Sequence, residues 1–147
     1  MRLRSVACIV WAHVFKKRSK LCNQKKRWMP IFIMNPATQP YLSELEAPSR
    51  AEVDALPGLT LLEFGTGWCG HCRAAQPALT EALAQVQVQA VGRWRHLKVE
   101  DGPGQALGRS FRVKLWPTLV LLRDGQEVGR LVRPVRASDI AAAMDAA

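Results

Sequence analysis

The chain has little of what would mark several common protein classes. It holds four cysteines in 147 residues, too few for a small scaffold stapled by disulfides. Only Cys69 and Cys72 stand at a recognisable spacing. The apolar run from Val6 to Phe15, broken by His13, is too short to span a bilayer. Acidic residues are missing altogether from residues 1–33. There is no internal repeat, no Gly-rich nucleotide loop, and no catalytic constellation besides the thiol pair.

What remains is the composition of one globular domain, 48% hydrophobic and 22% charged. The net charge of +9 is unevenly spread. Nine of the 21 Lys and Arg lie in residues 1–33 (Arg2, Arg4, Lys16, Lys17, Arg18, Lys20, Lys25, Lys26, Arg27), and the other twelve balance the twelve Asp and Glu of residues 34–147. The charge therefore belongs to an arm, and no nucleic-acid partner is expected for the domain. Residues 1–35 read as a basic N-terminal extension and residues 36–147 as the domain. Met34 opens a stretch of ordinary composition, so a start placed too far upstream accounts for the arm. The alternative is a targeting or membrane-surface segment, although a basic block rather than a small-residue cleavage site follows the apolar run. Cys8 and Cys22, inside the arm, read as free thiols without a role.

Along the domain, a short strand is expected around Tyr41–Leu45. Ser49 and Glu52 form a capping box for a helix that Pro57-Gly58 ends. Leu59–Phe64 reads as a strand buried on both faces, interrupted by one carboxylate, Glu63. Apolar residues at Ala75, Leu79, Leu83 and Val86 predict a helix from Gly70 to about Val88, with Pro77 inside it. Trp94–Val99 is a strand, and a short helix runs through Leu107 and Phe111. Leu119–Leu122 and Glu127–Val132 flank Asp124-Gly125, a hairpin turn signal. Ser138 is expected to cap a last helix with Ile140 and Met144 facing inward.

The stretch Trp68-Cys69-Gly70-His71-Cys72 carries the chemistry. A structural zinc site needs four ligands, and neither His13 nor His96 has zinc-finger spacing to the pair. Haem attachment needs histidine after the second cysteine, where Arg73 stands. No metal and no bound cofactor are therefore expected. Redox exchange fits better: Cys69 falls just ahead of a helix, whose unpaired N–H groups favour a thiolate. Cys72, three positions on, shares its face and can resolve a mixed disulfide. Gly70 permits the tight turn. A partly protonated His71 would stabilise the thiolate further, unless it is merely an exposed helix histidine. Trp68 would shield one side of the site.

These motifs, together with Pro77 and "WPTLVLLRDGQEVGRLV", resemble the thioredoxin superfamily over roughly residues 49–146. The resemblance implies an α/β thioredoxin fold: a mixed four- to five-stranded central sheet with helices on both faces. It implies a redox disulfide between Cys69, the exposed nucleophile, and Cys72, the buried resolver. Pro117 matches the family's cis-proline, and Trp116, Pro117 and Thr118 would line the substrate groove. Glu63 matches a buried acid beneath the disulfide, and Lys98 its partner. A lone carboxylate in an apolar strand should have a raised pKa and could shuttle a proton for Cys72. Three positions depart from the pattern. His71 stands where thioredoxins usually carry proline, Gly-His being typical of protein disulfide isomerases. Gly65 replaces a second tryptophan, and Arg133-Pro134 replaces a groove glycine.

The expected activity is thiol–disulfide exchange on protein disulfides, as a reductase served by an upstream reductase in the cytoplasm, from a monomer. An oxidase or isomerase in an oxidising compartment is the alternative, served by an oxidant and exported by the arm. A docking or metal-binding module without catalysis is the reading from another class.

Overall fold

The computed structural model describes residues 39–89 and 94–147. The basic extension, with Cys8, His13 and Cys22, lies outside the described residues. In chain order the elements are α1 (Arg50–Asp54), β1 (Leu59–Gly65), α2 (Gly70–Gln89), β2 (Trp94–Glu100), α3 (Ala106–Ser110), β3 (Thr118–Arg123), β4 (Gln126–Val132) and α4 (Ala137–Ala146). The sheet order is β2-β1-β3-β4. β1 runs parallel to β2 and antiparallel to β3, and β3 pairs antiparallel with β4. β1 is therefore central, and every one of its residues is buried.

The period of two along the strands sorts side chains between the sheet faces. Leu59 and Leu61 of β1, Trp94 of β2, and Leu119 and Leu121 of β3 share one face. There they join Leu79, Leu83 and Val86 of α2 and Ile140 and Met144 of α4 in a single core cluster. Glu63 follows Leu61 on this same face, under the first turns of α2. On the other face the Phe64 ring meets Phe111 at 5.6 Å. The Arg50 guanidinium of α1 covers Phe111 in turn, 4.1 Å from its centroid.

The capping box at Ser49 is complete, with the Glu52 carboxylate accepting from the Ser49 N–H at 2.8 Å. α1 nevertheless stops at Asp54, because Leu56 precedes Pro57 and is pushed out of the helical region. Two expectations are corrected. The segment Tyr41–Leu45 is no strand: Leu42 makes one isolated parallel bridge to Val99, and residues 44–46 turn. Ser138 is not a cap either. Arg136 holds the N-cap position without a side-chain cap bond, while its guanidinium binds Asp139 at 2.7 Å in the first turn. The negative charge favoured near a helix N-terminus is thus supplied by Asp139 from within the helix.

The β3–β4 turn has φ of +50° at Asp124 and +79° at Gly125, the pair of positive values a type I′ turn requires. The Asp124 carboxylate accepts from the Gly58 N–H at 2.8 Å, and a Cβ at Gly125 would fall 2.0 Å from the Asp54 carbonyl oxygen. Gly125→Ala is accordingly expected to destabilise the fold by roughly 2 kcal/mol. Urea denaturation checks this as a lowered midpoint at unchanged slope.

Candidate active site

Strand β1 delivers the chain into the loop Thr66–Cys69, and α2 begins at Gly70. Cys69 is partly exposed, Cys72 is buried, and both are free thiols. The Cys72 N–H points at Cys69 Sγ, 3.4 Å away. Burial acts to raise the Cys69 pKa. It is outweighed by the Cys72 N–H and thiol, the His71 N–H and the charge of Arg133, and the thiol ends below its ordinary value. His71 contributes through its main-chain N–H. Cys72 goes the other way. Burial is the chief cause, with the neighbouring Cys69 sulfur adding to it, and the thiol is pushed up to about 11. One turn of helix thus separates a nucleophile from a latent second thiol.

Beneath them lies Glu63, with no exposed surface. It is not alone. The Tyr41 hydroxyl donates to Oε1 at 2.5 Å, Gln76 Nε2 donates to the same oxygen at 2.7 Å, and His96 Nε2 lies 3.0 Å from Oε2. Lys98 Nζ donates to Gln76 Oε1 at 2.9 Å and sits 4.6 Å from the Tyr41 ring centroid. Burial pushes the carboxyl up, as expected for an acid in an apolar strand. The hydrogen bond and charge of His96, the charge of Lys98 and the Tyr41 hydroxyl more than offset it. The expected raised pKa is therefore corrected to a lowered one: the carboxylate is stabilised as an anion. His96 Nδ1 is buried with no partner among the described residues. Nε2 is the ring nitrogen that donates to the carboxylate, since a carboxylate oxygen only accepts.

Tyr41 touches both halves of the site. Its hydroxyl bonds Glu63 and also faces the Cys72 thiol, lowering the pKa of each. The room for it comes from Gly65. A Cβ there would lie 2.6 Å from Cys72 Sγ and 2.9 Å from the Tyr41 oxygen. A cavity of about 420 Å³ opens beside this point, lined by Tyr41, Cys72, Gln76 and Lys98 among others.

On the opposite side the Trp116–Pro117 peptide bond is cis. Pro117 and Thr118 are buried, and the Thr118 hydroxyl donates to the Leu115 carbonyl at 2.6 Å. Trp116 is half-buried and tethered by its Nε1–H to Asp101 Oδ2 at 2.8 Å. Trp68 is 71% exposed and meets Trp116 edge-on at 5.9 Å between centroids. Its position is therefore the rim of the site. Reasoning from the sequence missed Tyr41, Gln76 and His96. His96 could have been found from its spacing of two to Lys98, which puts both on one face of β2, and Gln76 from its helical spacing of four to Cys72. Tyr41 has no such local signal.

A family model described as Thioredoxin matches residues 42–146. The structure of thioredoxin 2 from Pseudomonas aeruginosa PAO1 in its reduced form is similar, with 54% identity and a TM-score of 0.62. That match covers 74% of this chain and 94% of the other. The thioredoxin of Chlamydia caviae is 36% identical over 75 residues, which are 51% of this chain and 69% of that protein. Protein disulfide-isomerase A3 of Gallus gallus is 27% identical over 112 residues, 76% of this chain but 21% of that protein.

With Cys8 and Cys22 replaced by serine, a pH titration of thiolate absorbance should show Cys69 ionising below the ordinary cysteine range and Cys72 near 11. Two coincident transitions in the ordinary range would contradict this. Tyr41→Phe removes the hydroxyl whose single proton is given to Glu63 Oε1. The same variant should lose about 1–2 kcal/mol of stability in denaturant melts, because Glu63 loses a buried hydrogen bond.

Proposed function

The chain belongs to the thioredoxin family of thiol–disulfide oxidoreductases, and from that membership we propose that it works as a reductase of protein disulfides. The observation that carries this reading is the contrast between the two thiols. Cys69 is accessible and ionises easily, while Cys72 is buried and holds its proton.

The Cys69 thiolate attacks one sulfur of a substrate disulfide, forming a mixed disulfide and expelling the other substrate sulfur as a thiolate. Cys72 then loses its proton, which the expelled thiolate can take up, and its sulfur attacks Cys69 Sγ. The Cys69–Cys72 disulfide forms and the second substrate sulfur leaves as a thiolate, to be protonated by solvent. The substrate gains two electrons and the enzyme loses two. During the second step the Tyr41 hydroxyl lies within reach of the new Cys72 thiolate and can stabilise it. Glu63 and Lys98 keep the hydroxyl and the α2 turn in place. Trp68, Gly70 and Trp116 form the surface on which the substrate chain lies, with main-chain groups of Trp116 pairing with it and the buried Pro117 and Thr118 backing it.

Reduction rather than isomerisation is the direction we propose. The similarity to a bacterial thioredoxin 2 over nearly its whole length supports the same direction. Such an enzyme needs a reducing compartment, so we place it in the cytoplasm, recharged by an upstream reductase. The domain that does this work is taken as residues 36–147.

Two substrates separate the readings. The dithiol form is expected to reduce insulin rapidly and to reactivate scrambled ribonuclease poorly. Cys69→Ser should fall to the uncatalysed rate, and Cys72→Ser should accumulate the mixed disulfide. Efficient reactivation of ribonuclease would overturn the reductase direction, and reduction surviving Cys69→Ser would overturn the site.

A further inference from the structure

Arg133 stands directly after β4 at φ +52°, in the left-handed region that large side chains occupy only when their surroundings hold them there. What holds it is the loop opposite the thiols. The Arg133 N–H donates to the Pro117 carbonyl at 2.8 Å, and Arg133 Nε–H donates to the Trp116 carbonyl at 3.1 Å. The guanidinium is thereby fixed along one edge to the segment that ends in the cis-proline, while the residue as a whole is exposed. Trp116, which it binds, meets the ring of Trp68, the residue before Cys69, and the charge of Arg133 acts on the Cys69 sulfur.

Three other tethered arginines at the surface differ from it. Arg50, Arg130 and Arg136 are each paired with a carboxylate, of Asp54, Glu127 and Asp139. Arg133 makes no such pair among the described residues. With Nε committed to Trp116, its two terminal nitrogens keep their N–H groups in a planar fork that matches a carboxylate. Apolar surface accompanies it. Val132 and Val135 on either side in the chain are 49% and 80% exposed, and Trp68 rises from the far rim.

We propose that Arg133 is a specificity-determining residue of the substrate groove, its guanidinium binding an Asp or Glu carboxylate that lies near the disulfide under attack. The inference rests on the reductase reading and names its substrate class: disulfides flanked by acidic residues. The Trp116 carbonyl has a second lone pair, so it can accept from a substrate N–H while still holding Arg133. The pairing is charge-assisted and bidentate, which makes it directional as well as attractive.

The test uses the full chain and two disulfide-bonded peptides that are identical except for Glu or Lys two residues from each cysteine. The quantity read is the ratio of their kcat/KM values, Glu peptide over Lys peptide. Any change in Cys69 reactivity is common to both peptides and cancels. The wild-type ratio is expected to be about fivefold, the size of one exposed ion pair, and to shrink as salt rises. Arg133→Gly, which suits the left-handed backbone, should bring the ratio close to one, and Arg133→Glu should invert it. A ratio that Arg133→Gly leaves unchanged would overturn this inference while reduction itself stands. Failure of the wild type to reduce either peptide would overturn the reductase reading and this inference with it.

Discussion

Glu63 carries its charge where no water reaches it, on the central strand and among leucines. A buried carboxylate survives only when it is paired and its oxygens are hydrogen-bonded, and removing one partner of a buried pair costs about 3–5 kcal/mol. Four residues meet that demand, and they come from three separate stretches of the chain. Tyr41 arrives from the segment before α1, Gln76 from α2, and His96 and Lys98 from β2. Satisfying the charge therefore fixes the α2 turn and the Tyr41 segment against the sheet. Two of the partners also touch the resolving cysteine: Tyr41 faces its thiol, and Gln76 Nε2 reaches its carbonyl at 3.3 Å. The environment of Cys72 is largely a by-product of what Glu63 requires.

The demand has a spatial consequence at Gly65. The position is ordinary in its backbone, and what it supplies is the absence of a Cβ, since any side chain would collide with Cys72 Sγ and the Tyr41 hydroxyl. Loss of bulk on one side of the thiols is matched by bulk on the other, where Trp116 and Arg133 line the approach to Cys69. Trp116 is held by Asp101 and Arg133 by the carbonyl of Trp116. A groove walled by tethered large side chains is narrower in chemistry than one walled by backbone, which is why a preference among substrates is expected of it.

Much of this could be read from the residues in order. β1 and β2 declared themselves by length and composition, and the β3–β4 hairpin by Asp124-Gly125. The Ser49–Glu52 capping box and the two thiols one turn apart are likewise local patterns, fixed by neighbours in the chain. The misreadings share a different cause. Glu63 looked like a lone acid with a raised pKa because Tyr41 and His96 lie 22 and 33 residues away in sequence, and no local pattern announces a partner at that distance. Ser138 looked like a cap because serine favours that position. Arg136 and Asp139, however, satisfy the helix start between them and leave the serine inside the helix. Tyr41–Leu45 looked like a strand, yet only Leu42 finds sheet partners there.

The central claim is that this dithiol is poised to give electrons, and the reduction potential of the Cys69–Cys72 couple tests it most directly. Equilibrating the full chain with glutathione mixtures, and counting free thiols by mass after alkylation, yields that number. The account predicts a value near the thioredoxin end of the known range, about −270 mV. A value near the disulfide-isomerase end, about −180 mV, would contradict it, because the Cys69–Cys72 disulfide would then take electrons from the thiols of the substrates it is held to reduce.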